Sequence, residues 1–133
     1  EYLIDLATLT GSCVATLGST AAGLFTNNID MAHSLSEAGE AVNERVWRLP
    51  LFEDFIADMQ SDIADIKNLS GKPVAGACTA AKFLEYFTEE HKKWAHLDIA
   101  GVSFTDSEFA KMRTATAYGV RLLVSYMEKL VEK

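Results

Sequence analysis

The sequence predicts an α/β domain with a mixed, largely parallel β-sheet flanked by helices. Short apolar segments alternate along the 133 residues with longer segments of helical periodicity, an alternation typical of layered α/β folds. Tyr2–Thr8 is almost continuously apolar, as expected for a strand buried on both faces of a parallel sheet. Such folds bind ligands at the carboxyl ends of strands, which directs attention to Leu9–Ser12 and Ala100–Phe104.

The composition is that of one globular domain, with 49% hydrophobic and 23% charged residues. The net charge of −7 argues against nucleic acid as a partner and gives no attraction to anionic lipid. No apolar run has the length of a membrane span. Cys13 and Cys78 suggest no disulfide framework, which favours a reducing compartment, and we expect a cytoplasmic protein.

The chain opens at Glu1, without a methionine, and enters an apolar run at once. We interpret Glu1 as a cut point within a longer protein. No signal peptide is visible, but under this interpretation its absence says little about the intact protein.

The first third of the chain contains two more apolar stretches, Cys13–Leu17 and Ala22–Thr26, each ended by polar or glycine residues. Asp30 is a candidate N-cap for the amphipathic helix that follows. Apolar residues recur in this helix at Met31, Leu35, Ala38 and Val42.

The middle of the chain begins with an extended connector, Trp47–Pro50. Pro50 could open a helix, because proline is tolerated in a first turn. The buried face of that helix would carry Phe52, Phe55, Ile56 and Met59. Ile63–Leu69 is predicted to be a short strand or an edge segment, followed by a loop at Ser70–Pro73.

The last part of the chain contains three predicted elements. A helix runs from about Gly76 to Phe87, and Trp94–Ile99 alternates as a strand does. Ala117–Val131 forms the final helix, with an apolar stripe that includes Leu123 and Met127.

Candidate metal ligands are few. His96 and Asp98 lie two apart on a predicted strand and therefore share a face, but a catalytic zinc needs about three protein ligands. Neither His-Glu-x-x-His nor Cys-x-x-Cys occurs. A polar pair satisfied by neighbouring backbone is the simpler interpretation, and we expect His33 and His91 to be solvated.

A nucleophilic site is also poorly supported. Gly11-Ser12-Cys13 follows a strand, but the Gly-x-Ser-x-Gly pattern of a hydrolase elbow is absent. Cys13 begins an apolar run, which indicates a buried, inert thiol. Cys78 lies near a helix start, where a thiol pKa can fall, although a small core residue is the simpler interpretation.

Five segments resemble the leucine (cytosol) aminopeptidase family, in that family's order and spacing. They are Leu3–Gly11, Ala21–Asn27, Val46–Pro50, Ala75–Ala81 and Trp94–Gly101. The resemblance extends from Glu1 to about Tyr126. It implies that residues 1–133 form the C-terminal part of the aminopeptidase catalytic (peptidase) domain.

The resemblance implies a metal-dependent leucyl aminopeptidase that releases N-terminal amino acids from peptides by two-metal hydrolysis. The family holds two divalent ions (manganese, zinc or magnesium), which polarise the scissile carbonyl and activate a bridging water. Its ligands include an Asn-Thr-Asp-Ala-Glu-Gly-Arg motif upstream of the Leu3–Gly11 segment, and that motif is absent here. We therefore expect no metal ligand and no catalytic residue in this chain, and no activity from the chain alone. A homo-hexamer is also implied.

Six substrate-binding positions can be transferred from the family. They are Thr8, Leu9, Gly11, Leu69, Ala100 and Ser103. The resemblance gives Leu9 a backbone carbonyl that accepts a hydrogen bond from the substrate, gives Gly11 a backbone N–H that contacts it, and assigns the other four to pocket walls. Some members carry methionine at Ser103, so a serine would widen or hydrate the pocket and weaken a leucine preference. Alternatively, Leu69 is simply core and Gly11 simply serves a tight turn.

Two further functions stay open. This chain could be a non-catalytic, pocket-forming and oligomerisation segment of an inactive paralogue, which a degraded upstream Asp-Ala-Glu-Gly-Arg motif would reveal. A cysteine hydrolase that uses Cys13 and His96 would lose activity to thiol alkylation rather than to a chelator. Truncation of the longer protein would expose an apolar face, and we expect the isolated 133-residue chain to be unstable or to aggregate.

Overall fold

The computed structural model describes residues 1–106 and 111–132 of the chain. Its four-stranded sheet contains β1 (Leu3–Ala7), β2 (Ala22–Thr26), β3 (Val46–Arg48) and β4 (Trp94–Asp98). The helices are α1 (Gly11–Leu17), α2 (Ile29–Ala41), α3 (Gly76–Tyr86) and α4 (Val120–Val131). A 3-10 helix spans Glu53–Met59, and a small antiparallel pair is formed by β5 (Phe104–Thr105) and β6 (Thr114–Ala115).

The sheet is mixed, with strand order β1-β4-β2-β3. β1 is parallel to β4, β4 is antiparallel to β2, and β2 is parallel to β3. The predicted mixed, largely parallel sheet with flanking helices is therefore confirmed. Because Ala7 lies opposite Asp98, β1 and β4 end at the same edge, and the Ile99 N–H extends the pairing to the Ala7 carbonyl at 2.9 Å.

Helices cover both faces of the sheet. On one face, Leu24 and Leu97 pack with Leu35 of α2 and Leu122 of α4 in the larger core cluster. On the other face, Phe25 packs with Cys13 of α1 and with the α3 alanines in a smaller cluster. All five residues of β2 and all five of β4 are buried, because these central strands have helices on both sides.

The start of α2 differs from the prediction at Asp30. The N-cap is Asn28, whose side-chain oxygen accepts the Met31 N–H at 3.0 Å. Asp30 instead lies in the first turn of the helix, where a negative charge interacts favourably with the helix dipole. Two residues of N-cap type, Asn28 and Asp30, lie two positions apart, and the structure uses Asn28.

The region after β3 also differs from the prediction. The helix expected at Pro50 is a 3-10 helix that begins at Glu53. Residues 63–69 form bends rather than a strand, and Ile63 is 98% exposed. The Lys67 N–H donates to the Met59 carbonyl at 2.7 Å, so this segment folds back on the 3-10 helix instead of joining a sheet.

The other predicted elements lie close to their expected places. Cys13–Leu17, identified in the sequence only as an apolar stretch, belongs to α1. α3 and β4 end within one residue of the predicted limits, at Tyr86 and Asp98. α4 begins at Val120, three residues after its predicted start. Each helix in the described ranges is too short or too polar to cross a membrane.

A buried carboxylate fixes the start of α4. The side chain of Glu44 accepts the Gly119 N–H at 3.0 Å, the Leu122 N–H at 2.9 Å and the Arg121 Nε–H at 3.1 Å. Helix-start N–H groups have no partner within their own helix, so this carboxylate satisfies them from more than 70 residues away along the chain. Gly119 has a φ of +99°, which glycine adopts without strain.

We expect Glu44→Ala to lower the free energy of unfolding by roughly 2–3 kcal/mol, because it leaves buried N–H groups without an acceptor. Urea unfolding of the intact protein measures this change. The control is Glu40→Ala, since Glu40 is an exposed partner of Arg45 and its loss removes only a surface ion pair. Equal midpoints for the two variants would contradict the capping role.

Candidate active site

The side chain of Asp98 joins the loops that follow β1 and β4. This residue ends β4 and is 1% exposed. One carboxylate oxygen accepts the Leu9 N–H at 3.2 Å, the Ala100 N–H at 3.2 Å and, more weakly, the Thr10 N–H at 3.5 Å. The other oxygen accepts the Thr10 hydroxyl at 2.7 Å. Four donors from two loops thus converge on one buried charge, which fixes the loops relative to each other.

Thr10 passes this constraint on to α1. Its Oγ1 accepts the Cys13 N–H at 3.0 Å and caps the helix, while its hydroxyl proton is donated to Asp98. α3 approaches the same loop closely, because a Cβ at Gly76 would collide with the Ser12 hydroxyl. Glycine at this position therefore allows the start of α3 to lie directly against the Leu9–Ser12 loop.

An open cavity of about 320 Å³ lies between this loop and α3. The loop contributes Leu9–Ser12, and α3 contributes Gly76, Thr79 and Ala80. The third wall is formed by Met59, at the end of the 3-10 helix, and by residues 68–70. The lining therefore combines backbone at the strand ends with both apolar and polar side chains, among them Leu69 and Asn68, which suits a ligand with polar and apolar parts.

Three of the six predicted binding residues line this cavity, and the other three lie outside its lining. Leu9, Gly11 and Leu69 all line it. Ala100 lies on the neighbouring loop and shares the Asp98 carboxylate with Leu9. Thr8, which is exposed, and Ser103 are not among the lining residues.

Ser103 belongs to the turn after β4. Its N–H donates to the Ile99 carbonyl at 3.0 Å, and its carbonyl accepts the Thr116 N–H at 3.0 Å. The Ser103 hydroxyl is enclosed and has no hydrogen-bond partner among the residues that the structure describes. A buried hydroxyl without a partner is unfavourable, so this group is available to a ligand or to a further part of the protein.

The sequence did not predict the roles of three positions at the cavity. Thr79 was not considered and Met59 was assigned only to the buried face of a helix, yet both line the cavity. Asp98, considered as a metal ligand or as a polar residue satisfied by backbone, organises the two loops. The sequence did indicate that backbone would satisfy Asp98, and the structure agrees. The identity of that backbone could not be inferred, because Leu9 and Asp98 are 89 residues apart.

His96 makes a different set of contacts from Asp98. Its Nδ1 is 2.5 Å from an Asp5 oxygen, and the other Asp5 oxygen accepts the Trp94 indole N–H at 2.7 Å. The ring stacks on Phe25 with 6.0 Å between centroids. His96 is therefore held by a side chain rather than by backbone, and its contacts tie β1 to β4.

Of the other histidines, His33 is exposed as expected, whereas His91 is half-buried with an enclosed Nε2. Across residues 1–106 and 111–132, no three His, Cys, Asp or Glu side chains are grouped as a metal site requires. These residues therefore do not fit the metal ions that the family resemblance implies, and no ligand is assigned to them.

Cys13 lacks the properties of a nucleophile. The side chain is 1% exposed, and its sulfur lies 3.7 Å from the Asp98 carbonyl oxygen. Burial, together with the nearby Asp98 charge, raises the pKa of the Cys13 thiol from its ordinary 9.0 to about 11. Burial also raises the pKa of the Cys78 thiol. Both cysteines therefore stay protonated at neutral pH, which disfavours the cysteine hydrolase alternative.

The chain matches the profile of a protein family described as "Cytosol aminopeptidase family, catalytic domain" over residues 1–124. A probable cytosol aminopeptidase of Chlorobium limicola is 50% identical over 129 residues, and the cytosol aminopeptidase of Rickettsia prowazekii is 50% identical over 131. Both alignments cover 97% of this chain, but 25% and 26% of the relatives. The chain thus spans about a quarter of the length of these relatives.

A solved structure also matches nearly all of this chain and about a quarter of its own length. A mutant of tomato leucine aminopeptidase superposes with a TM-score of 0.88 at 43% sequence identity. The superposition covers 97% of this chain and 25% of the tomato chain. The fold described above therefore corresponds to one part of a larger known structure.

We expect Asp98→Ala to destabilise the intact protein by roughly 3 kcal/mol, because four donors lose a buried, charged acceptor. Amide hydrogen exchange should show lost protection at Leu9, Thr10 and Ala100. Asp30→Ala is the control, since Asp30 is an exposed carboxylate in the first turn of α2. Unchanged exchange at the three amides would show that Asp98 does not hold the loops.

The raised thiol pKa values predict slow alkylation. At pH 8 a shift of two units lowers the thiolate fraction of Cys13 roughly a hundredfold, and burial slows the reaction further. Peptide mapping after iodoacetamide treatment should find Cys13 modified quickly in urea and hardly at all in the native protein. Equal rates in the two states would contradict the buried, protonated thiol.

Proposed function

Because this chain belongs to the cytosol aminopeptidase family, we propose that the protein containing it is a leucyl aminopeptidase, a hydrolase that releases N-terminal amino acids from peptides. We also propose that residues 1–133 are the C-terminal part of its catalytic domain. The observation that best supports a binding role is the cavity at the ends of β1 and β4, lined by Leu9, Gly11 and Leu69. Open α/β sheets bind ligands at such strand ends.

The β1–α1 loop would bind the peptide through its backbone. The Leu9 carbonyl and the Thr10 N–H belong to one trans peptide group and so point in opposite directions. Because the Thr10 N–H faces Asp98, the Leu9 carbonyl points away from Asp98 and is available to accept a hydrogen bond from the substrate. Gly11, the first residue of α1, would donate its backbone N–H to the same peptide.

The substrate's N-terminal side chain would contact the apolar residues that line the cavity. These are Leu69, Met59 and Ala80, and Leu69 is 75% exposed before any ligand covers it. Removing apolar surface of this kind from water favours binding. Thr8, Ala100 and Ser103 remain proposed further walls, which would be completed by the rest of the protein.

Hydrolysis in this proposal depends on two divalent ions, manganese, zinc or magnesium, bound by residues outside this chain. When bound, such ions would supply Lewis-acid chemistry for the hydrolysis. The contribution of the present chain would be to hold the N-terminal residue of the peptide in a fixed place at the cavity. Fixed placement of reactants contributes substantially to catalysis, because it replaces a diffusive encounter by a local one.

We further propose that the intact protein is a cytosolic homo-hexamer. Support for the compartment comes from the word "cytosol" in the names of the relatives. Support for assembly comes from exposed apolar side chains on one stripe of α4, at Val120, Val124, Met127 and Val131. Either the rest of the protein or another subunit would cover this stripe.

The test is hydrolysis of leucine amide by the purified intact protein, whose mass is checked first. We expect activity that a chelator abolishes, that Mn²⁺ restores and that iodoacetamide leaves unchanged. Leu69→Ala should raise KM about fivefold through lost apolar contact. Ile63→Ala is the matched control, because Ile63 lies in the same segment but outside the cavity.

Two results would contradict the proposal. No hydrolysis at any metal concentration, from a protein of full mass, would favour the inactive paralogue. Activity that survives the chelator and is lost on alkylation would favour a cysteine hydrolase.

A further inference from the structure

Lys82 is a buried charge that the proposed binding site does not use. It lies on α3, and its side chain is 4% exposed. Its Nζ is 2.5 Å from a Glu53 oxygen and 2.5 Å from a Glu85 oxygen. A buried ammonium group is unfavourable unless it is paired, so these two contacts are what allow a lysine at this position.

The two partners of Lys82 belong to different elements. Glu85 is on the same helix, three residues along, and cannot connect one element to another. Glu53 begins the 3-10 helix, 29 residues earlier in the chain, so this pair links the 3-10 helix to α3. Burial lowers the pKa of Lys82, but the hydrogen bonds to and charges of Glu53 and Glu85 outweigh burial and raise it. Lys82 is therefore charged at neutral pH.

The 3-10 helix leads directly into the third wall of the cavity, formed by Met59 and residues 68–70. It ends at Met59, which is buried and lines the cavity. The hydrogen bond from the Lys67 N–H to the Met59 carbonyl then brings residues 68–70 to the same wall. The segment from Gln60 to Ala75 contains no helix or strand, so its position depends on such individual contacts.

α3 itself forms another wall of the same cavity. Thr79 and Ala80 line the cavity three and two residues before Lys82 on this helix. The Lys82–Glu53 pair therefore connects these two walls from outside the cavity. If the pair breaks, Phe55 still packs against the α3 alanines, but the start of the 3-10 helix loses its charged attachment to α3 and the position of residues 53–75 is less constrained.

We propose that Lys82 is a positioning residue for the substrate side-chain pocket, acting through Glu53 to hold residues 53–75 at a fixed distance from α3. The proposal rests on the aminopeptidase function proposed above. It states that a residue outside the side-chain pocket sets the distance between two of its walls. Lys82 is not among the residues that line the pocket, so it should affect binding of the substrate side chain and not the chemical step.

The test compares variants of the intact protein. Lys82→Met keeps the length and apolar stem of the side chain and removes the charge, whereas Lys82→Arg keeps the charge. Lys92→Met is the matched control, because Lys92 borders the same neighbouring cavity of about 630 Å³ as Lys82 but is an exposed lysine. All are assayed for KM and kcat on leucine amide and for amide exchange in residues 53–75.

For Lys82→Met we expect KM to rise about fivefold and kcat to change less than about twofold, the pattern of lost binding without lost transition-state contact. Exchange should rise in residues 53–75 and stay unchanged in β2 and β4. Lys82→Arg should keep KM and the exchange of residues 53–75 close to their wild-type values. Lys92→Met should match the wild type in both. A general loss of folding would instead raise exchange in the sheet as well.

Two results would overturn the proposal: unchanged exchange in residues 53–75 of Lys82→Met, or increased exchange there with wild-type KM. Exchange does not depend on activity, which separates this proposal from the proposed function. An inactive wild-type protein would refute the aminopeptidase function, and exchange alone would then decide whether Lys82 holds the wall.

Discussion

The hydrogen bonds of the Asp98 carboxylate hold together the part of the structure on which the candidate site depends. The carboxylate is buried, and a buried charge is stable only when its oxygens are satisfied. Here the satisfying donors are the backbone of Leu9 and Ala100 together with the backbone and hydroxyl of Thr10. Because this one buried charge needs hydrogen-bond donors, it holds in place two loops, the start of α1 and one side of the cavity.

Glu44 uses the same physical arrangement at the start of α4. Its buried carboxylate accepts N–H groups at the start of α4, as that of Asp98 accepts N–H groups before α1. In both cases an acidic side chain at the end of one segment replaces the acceptors that a helix start or a loop lacks. Lys82 is the cationic counterpart, because it is buried between carboxylates of two elements. Buried charges with partners distant in sequence thus hold in place the loops after β1 and β4, the start of α4 and the start of the 3-10 helix.

Local patterns predicted much of the fold. α2 and α3 have apolar residues at helical spacing, and β4 alternates, so their periodicity was sufficient. Predictions failed where tertiary contacts decide: Asn28 caps α2 in place of Asp30, and residues 63–69 fold back on Met59 instead of forming a strand. For the site, resemblance supplied Leu9, Gly11 and Leu69, which the fold brings to one cavity. The organising role of Asp98 spans almost 90 residues, and no local pattern reveals it.

The most direct test is a crystal structure of the intact protein with a non-hydrolysable peptide analogue bound. We expect the N-terminal residue of the analogue to lie between the Leu9–Ser12 loop and α3, with its side chain against Leu69. Asp98 should still accept the Leu9 and Ala100 N–H groups in the complex. An analogue bound elsewhere, or a loop that releases Asp98 when the ligand binds, would contradict the claim that this carboxylate assembles the site.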